Sequence, residues 1–310
     1  MNYLCPNCKN KLSPTEGGFS CHDCEIEYQA SEGILSLLPK DLADIKKEEI
    51  VYHNQESAKS FEAHQLSSFR NQYYHHLALQ PLMKLPNDSL ILELGGGTGY
   101  DAVPLLKKGY QLTETDISSG SLQAAREYIN KEVTDPKVQY IACDAENLPF
   151  EDNQFSACFI TAAFHHLPDH RKALKEMKRV IKQDGYIILA IEPNFFWQKV
   201  ISFFRPALKF LTRQKEPGSK ADAEAQGFSK KELKRLLEEE NISIERITPV
   251  WFLAGLLHYK LEFFFRFFKL KKRIKAPLWF EKLFVYTDKF LFLIPGFDRL
   301  CWHWTVVGKR

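Results

Sequence analysis

The sequence predicts an α/β fold: a mostly parallel, Rossmann-like sheet with flanking helices, behind a small metal-stapled module at the N-terminus. Three observations carry this expectation. Between residues 89 and 192, apolar strand-like runs alternate with helical segments, the pattern of βαβ units on a parallel sheet. The first of those runs stops at Gly95-Gly96-Gly97. Two C-x2-C pairs sit within the first 24 residues, where the chain is too turn-rich to build a core of its own.

The composition is ordinary for a globular chain, with 45% hydrophobic and 26% charged residues in 310. That length suits one large domain and one small one. A formal net charge of +3 is too small to argue for nucleic acid by itself. The first residues lack the basic and apolar regions of a signal peptide. No apolar run reaches 18 residues, so no membrane-spanning helix is expected. The expected location is cytoplasmic, with a peripheral contact at the inner membrane surface left open.

Along the chain, residues 1–40 read as the small module and 41–88 as a linker and helical cap, with a helix over 57–84. Residues 89–310 form the large domain. Strands are expected at 89–94, 110–116, 138–142, 155–161 and 185–192, with helices over 100–108, 121–131 and 171–181. Two late strands, 242–250 and 302–307, suit an antiparallel pair. The residues between them, about 251–300, form a helical insert rich in Phe and Lys.

The seven cysteines divide unevenly. Cys143, Cys158 and Cys301 are scattered, whereas Cys5, Cys8, Cys21 and Cys24 form two pairs separated by a turn-rich stretch. Paired clustering with an odd total points to a metal in a reducing compartment rather than to disulfides. Four thiolates around one Zn2+ make a closed tetrahedral site with no position for chemistry. The metal would supply stability that a segment this short cannot obtain by burial. Residues 3–39, with Leu4-Cys5-Pro6-Asn7-Cys8, Cys21-His22-Asp23-Cys24, Tyr28 and Gly33 through Pro39, resemble two groups of zinc ribbons. One is the zinc-ribbon activators of tRNA and translation-factor methyltransferases; the other is the N-terminus of rRNA guanine methyltransferases. The resemblance implies a structural or docking role.

Glu93-Leu94-Gly95-Gly96-Gly97-Thr98-Gly99 follows a strand and opens a helix. Glycine there permits a sharp turn and close approach to a ligand. The spacing Gly95-x-Gly97-x-Gly99 differs from the G-x-G-x-x-G of a pyrophosphate binder. Asp116 lies about 20 residues on, at a strand end, where its carboxylate can accept both hydroxyls of a ribose. Asp144-Ala145 follows the next strand, where a carboxylate can accept an adenine amino group. These blocks, with Asp116-Ile117-Ser118, Asp144 through Phe150 and His166-Leu167-Pro168-Asp169, resemble class I methyltransferases of the group with a Leu-Pro-Phe element after the third strand. The match covers about 89–192. It implies a seven-stranded sheet that binds S-adenosylmethionine at its strand C-terminal ends, through Glu93, Gly95, Gly97, Gly99, Asp116, Ile117, Asp144 and Ala145. One departure is Ser156, where the family usually has Asp after the Phe.

Methyl transfer needs a nucleophile aligned behind the methyl and, for a hydroxyl or ammonium acceptor, a general base. His165 and His166, at the end of the fourth strand, are the candidates. Tyr73-Tyr74-His75-His76 is a second place where the pocket could be lined. The insert carries the substrate clue. From Trp251 to Arg310 there are 12 Lys/Arg against four Asp/Glu, with eleven Phe and four Trp. Glu262, Arg266 and Lys269 share one helical face, Phe covers the rest, and Lys271-Lys272-Arg273 follows. A similar piece runs from Phe195 to Leu211 with Lys199, Arg205 and Lys209. Such segments suit either a lid with its Phe packed over the sheet or an interfacial membrane contact. Three functions therefore stand open. The leading one is methylation of an apolar or lipid-linked small molecule. The second is methylation of an rRNA or tRNA base, since a basic aromatic surface also stacks bases. The third is a non-catalytic methyltransferase-fold module that docks a partner through its ribbon.

Overall fold

The computed structural model describes residues 2–56, 68–212, 226–268 and 275–310. Its centre is a run of parallel strands buried on both faces: β5 (Leu90–Leu94), β6 (Gln111–Asp116), β7 (Val138–Cys143), β8 (Phe155–Thr161) and β9 (Ile181–Pro193). The order is β7-β6-β5-β8-β9, so the chain starts in the middle and reverses direction once. Burial on both faces explains why these strands read as nearly continuous apolar runs. Side chains alternate between two cores. Leu92, Leu94 and Ile160 face one side, against Leu174 and Met177 of α5 (His170–Val180) and Leu233 and Leu237 of α7 (Lys230–Glu239). Ile91, Leu112 and Phe159 face the other. There they meet Ala78 and Leu79 of α2 (Phe69–Leu79), Leu105 of α3 (Ala102–Lys107), and Leu122 and Ile129 of α4 (Ser119–Glu132).

The two late strands are β10 (Ser243–Val250) and β11 (His303–Lys309), and they are antiparallel. β11 lies between β9 and β10 and is antiparallel to both. Between them come α8 (Leu253–Phe267) and α9 (Leu278–Leu291), so the insert is helical; α6 (Phe195–Thr212) precedes α7. The cap contains α1 (Asp44–Glu56) and α2. Of the helix expected over 57–84, α2 and a 3-10 turn at Leu82–Lys84 are present; 57–67 lie outside the described residues, as do Lys269, Lys271, Lys272 and Arg273. The side chains of Arg205, Lys209, Phe210, Glu262 and Arg266 are outside them too.

One expectation needs correction. The sheet has eleven strands rather than seven, because the N-terminal module joins it. The module's strands are β1 (Ser13–Thr15), β2 (Gly18–Cys21), β3 (Ile26–Ser31) and β4 (Ile34–Leu37). β4 pairs in parallel with β7, Ile34 opposite Tyr140 and Leu37 opposite Cys143. A parallel sheet ending at β7 would leave an open row of backbone donors and acceptors, and β4 covers it. The module also binds the loop after β7. Leu4 N–H donates to the Pro149 carbonyl at 2.9 Å, Lys9 Nζ reaches the Leu148 carbonyl at 3.0 Å, and Asn147 donates to the Pro6 carbonyl. Tyr3, Leu35 and Leu37 sit in the same apolar cluster as Leu148, Phe150 and Phe155.

This continuity is testable, because all five tryptophans lie at 197 or beyond. Leu37 is fully buried, and Leu37→Ala should cost about 2–5 kcal/mol. The tryptophan fluorescence midpoint in urea should fall with it. An unchanged midpoint would mean that the module unfolds independently.

Candidate active site

The C-terminal ends of β5, β6 and β7 lie side by side, with Leu94 opposite Thr115 and Asp116 opposite Ala142. This brings the glycine loop, Asp116-Ile117 and Asp144-Ala145 to one edge of the sheet. Gly95, Gly97 and Gly99 have φ of 59°, 56° and 73°, a region that β-carbon-bearing residues seldom occupy. At Gly96 a Cβ would stand 1.9 Å from Glu114 Oε1, so the loop can lie over that carboxyl only with glycine there. At Gly97 a Cβ would meet nothing within 4 Å; the loop is open on its outer side, as a cradle for a ligand must be. Asp116 braces the turn by accepting Gly97 N–H at 3.1 Å and Ser118 N–H at 2.8 Å.

Four carboxyl groups surround this turn: Glu93, Asp101, Glu114 and Asp116. Glu93 and Glu114 are buried, and their carboxyl groups hydrogen-bond one another. Burial raises the Glu93 carboxyl well above its ordinary range, and the neighbouring Glu114 and Asp101 raise it further. Burial pushes Glu114 up to about 8, with Asp116 and Asp101 adding to the rise. Asp116 is also raised by burial, against the backbone N–H groups that it accepts. Such a group of acids is costly without a cation and attracts one.

Helix α1 crosses the far side of this edge. Lys46 Nζ contacts Asp144 at 2.9 and 2.8 Å and Glu146 at 2.7 Å. Asn54 Oδ1 accepts from the Ser118 hydroxyl at 2.8 Å and from Gly120 N–H at 2.9 Å, at the start of α4. Asp144 is therefore already paired, and an adenine amino group would meet its carboxylate beside or in place of Lys46.

Beyond β8, a 3-10 turn at Phe164–His166 holds both candidate bases. Glu192, at the end of β9 and fully buried, organises it. Its carboxylate accepts from the N–H groups of Ala163, Phe164 and His165 at 3.2, 3.0 and 3.1 Å, and contacts His165 Nδ1 at 2.8 Å. A carboxylate there accepts, so Nδ1 carries the hydrogen of that contact. His166 instead approaches Glu49 of α1 at 3.6 Å, and its ring lies 4.2 Å from that of His165. His303, at the start of β11, is pushed down to about 3 by burial and by His165 and His75, and so is a neutral imidazole. His75 of α2 contacts Asp101 at 2.7 Å. Next to that pair lies a cavity of about 500 Å3 lined mainly by apolar atoms, with Phe69, Tyr73 and Leu79 on one side and Tyr100, Val103 and Tyr128 on the other.

Glu192, Lys46, Asp101 and His303 were missed by reading the sequence. Glu192 did carry a signal: it is an acid at the end of an otherwise apolar parallel strand, as Glu93 and Asp116 are, and that end is where such sheets bind ligands.

Residues 92–189 match the family model described as a methyltransferase domain. A demethylmenaquinone methyltransferase from Paenarthrobacter aurescens is 36% identical over 100 residues, 32% of this chain and 37% of that protein. Another, from Thermotoga maritima, is 34% identical over 125 residues, 38% of this chain and 52% of that protein. The matches thus span between 37% and 52% of these relatives' own length. Among solved structures, Haemonchus contortus phosphoethanolamine N-methyltransferase 2 in complex with S-adenosyl-L-methionine gives a TM-score of 0.52 at 15% identity, over 88% of this chain and 61% of that one. A chain from the complex between the Haloferax volcanii Trm112 methyltransferase activator and a methyltransferase gives 0.51 at 16%, over 83% and 96%. These structural likenesses are of fold.

The Glu114 carboxyl predicts a pH effect. Its folded value, about 8, lies above the ordinary 4.5, so the folded chain keeps a proton that the unfolded chain gives up. Stability should fall as pH rises from about 5 to about 9, and Glu114→Gln should flatten that fall. Urea midpoints across this range measure it; equal slopes in the two proteins would contradict the assignment.

Proposed function

We propose, from the methyltransferase domain that this chain carries, that it transfers the methyl group of S-adenosylmethionine to an apolar small molecule with a ring hydroxyl, of the quinol class. The carboxyl group of Glu93, Asp101, Glu114 and Asp116 carries the cofactor half of this reading. Because burial holds Glu93 and Glu114 protonated, a bound sulfonium and ammonium would favour their ionised forms and gain opposite charge, whereas a pyrophosphate would hold them protonated and gain none. The acceptor half is supported by the names of the relatives, by the apolar cavity beside His75 and by the His165–Glu192 pair.

S-adenosylmethionine supplies an electrophilic methyl on a sulfonium. Asp116 accepts the ribose hydroxyls, and Asp144, beside Lys46, accepts the adenine amino group. Gly95, Gly97 and Gly99, with Glu93, Ile117 and Ala145, complete the cradle. His165 Nε2 takes the proton of the acceptor hydroxyl, and Glu192 stabilises the resulting imidazolium, in the manner of the acid of a catalytic triad. With S-adenosylmethionine bound, the electron pair freed at the hydroxyl would let a ring carbon bond the methyl as the carbon–sulfur bond breaks and leaves its pair on sulfur; that carbon would then lose its hydrogen as a proton while the imidazolium of His165 returns one to the ring oxygen. His166, next to His165, closes the same wall from the side of α1.

The four cysteines hold one structural zinc in this reading. Their Sγ atoms lie within 4.8 Å of one another, with Cys5–Cys24 at 3.8 Å and Cys8–Cys21 at 3.5 Å. A zinc tetrahedron with bonds of about 2.3 Å has edges of about 3.8 Å. Asn7 N–H donates to Cys5 Sγ at 3.4 Å, as a thiolate ligand requires.

His165→Gln should lower kcat by about 10²–10⁴ and leave S-adenosylmethionine affinity unchanged. Asp116→Ala should weaken that affinity by about 1.5–3 kcal/mol, the scale of hydrogen bonds to a charged group. Labelled-methyl transfer to a demethylmenaquinol and calorimetric titration measure the two. Transfer to RNA and not to the quinol would refute the acceptor class. Elemental analysis should give about one zinc per chain, lost in Cys21→Ser; a folded metal-free module would refute the zinc.

A further inference from the structure

The described residues expose sixteen large hydrophobic side chains, and all but Val51 fall between 196 and 294. They lie on α6, α8, α9 and the turn after α9, and α8 packs against both other helices. Helix α9 is inverted relative to an ordinary surface helix. Trp279, Leu283, Tyr286 and Phe290, spaced i, i+4, i+7, i+11, are 68%, 55%, 53% and 67% exposed. Its inner face carries Glu281, Val285 and Asp288.

Both of its acids have structural partners. Glu281 accepts from Arg70 Nη1 at 2.6 Å and from Arg70 N–H at 3.2 Å. Asp288 accepts from the N–H groups of Phe252, Leu253 and Ala254 at 2.9, 2.7 and 3.1 Å, which caps the start of α8. The charges on or beside the outer face of α9 are cationic: Lys275 and Lys289 are exposed and Lys282 half-buried. On α8 and just after it, Phe263, Phe264, Phe267 and Phe268 are 41–57% exposed while Phe265 is buried. A lid with Phe264 and Phe268 as core is therefore not what forms.

We propose that the outer faces of α6, α8 and α9 are a docking surface for an anionic lipid bilayer, lying in the headgroup region without crossing it. Among the described residues no helix is long and apolar enough to cross. Apolar area of this extent is a binding surface rather than scattered exposure. Lysine decides the occupant. Protein interfaces are depleted of it, whereas interfacial helices combine aromatic side chains with Lys to meet anionic lipid. Here Lys199, Lys260, Lys275 and Lys289 stand exposed among the aromatic residues. The face also borders the apolar cavity: Lys282 lies over Phe69 at 5.6 Å and Lys289 over Tyr73 at 5.8 Å, and both rings line it. Lipid binding stands independently of the methyl-transfer reading.

The test is co-sedimentation of the full chain with phosphatidylcholine vesicles, with and without phosphatidylglycerol, at low and high salt. Binding should need phosphatidylglycerol and weaken with salt. Replacing Lys275, Lys282 and Lys289 together by Gln should weaken it by about tenfold or more. Trp279→Ser with Phe290→Ser should abolish it with an unchanged melting curve. Three results would each overturn the proposal: no binding to anionic vesicles at low salt, binding indifferent to both sets of substitutions, or a large loss of melting temperature in the Trp279 and Phe290 variant. A stable dimer that excludes vesicles would assign the face to a second copy instead.

Discussion

The acid-ringed turn after β5 is the constraint that the rest of the site obeys. Glu93 and Glu114 are buried under the glycine loop, and Gly96 is what lets the backbone lie over them. Burying acids so close together raises their protonation and costs stability. The sheet tolerates that cost because both of its faces are packed with apolar side chains and because Asp116 spends its oxygens on the backbone of the turn. The product is a preorganised floor of carboxyl groups, ready to ionise beside a cation, at the place where a parallel sheet presents its strand ends.

Around that floor the supports come from distant parts of the chain. Lys46 on α1 bridges Asp144 and Glu146. Glu192 on β9 gathers the His165 turn through four donors. The N-terminal module reaches the same edge through β4 and through Leu148-Pro149-Phe150, which begins four residues after Asp144. The module and the edge that carries the glycine loop are thus one continuous sheet, and disturbance of the cysteine cluster has a short path to Asp144.

The sequence disclosed most where signals are local. A glycine loop between a strand and a helix is a short-range pattern, and so is the spacing of Cys5, Cys8, Cys21 and Cys24. The alternation of strands and helices was legible because each parallel strand must be apolar on both faces. What was not legible depends on long-range geometry. Ile34 to Leu37 reads the same whether it ends a free ribbon or extends a sheet. Lys46 and Asp144 are separated by 98 positions, and nothing in either neighbourhood names the other. The run Phe263 to Phe268 is compatible with core or surface, because its composition is apolar nearly all round; only the inward placement of Glu281 and Asp288 shows which way the adjoining helix faces.

The central claim is that the acidic cradle selects a cationic nucleoside over a dinucleotide. Calorimetric titration of the full chain with S-adenosylmethionine and, separately, with NAD tests it most directly. The account predicts one saturable site for S-adenosylmethionine, with protons released on binding at about pH 8 as the cation lowers the raised carboxyl values, and no heat of binding for NAD. Saturable binding of NAD, or none of S-adenosylmethionine, would contradict it.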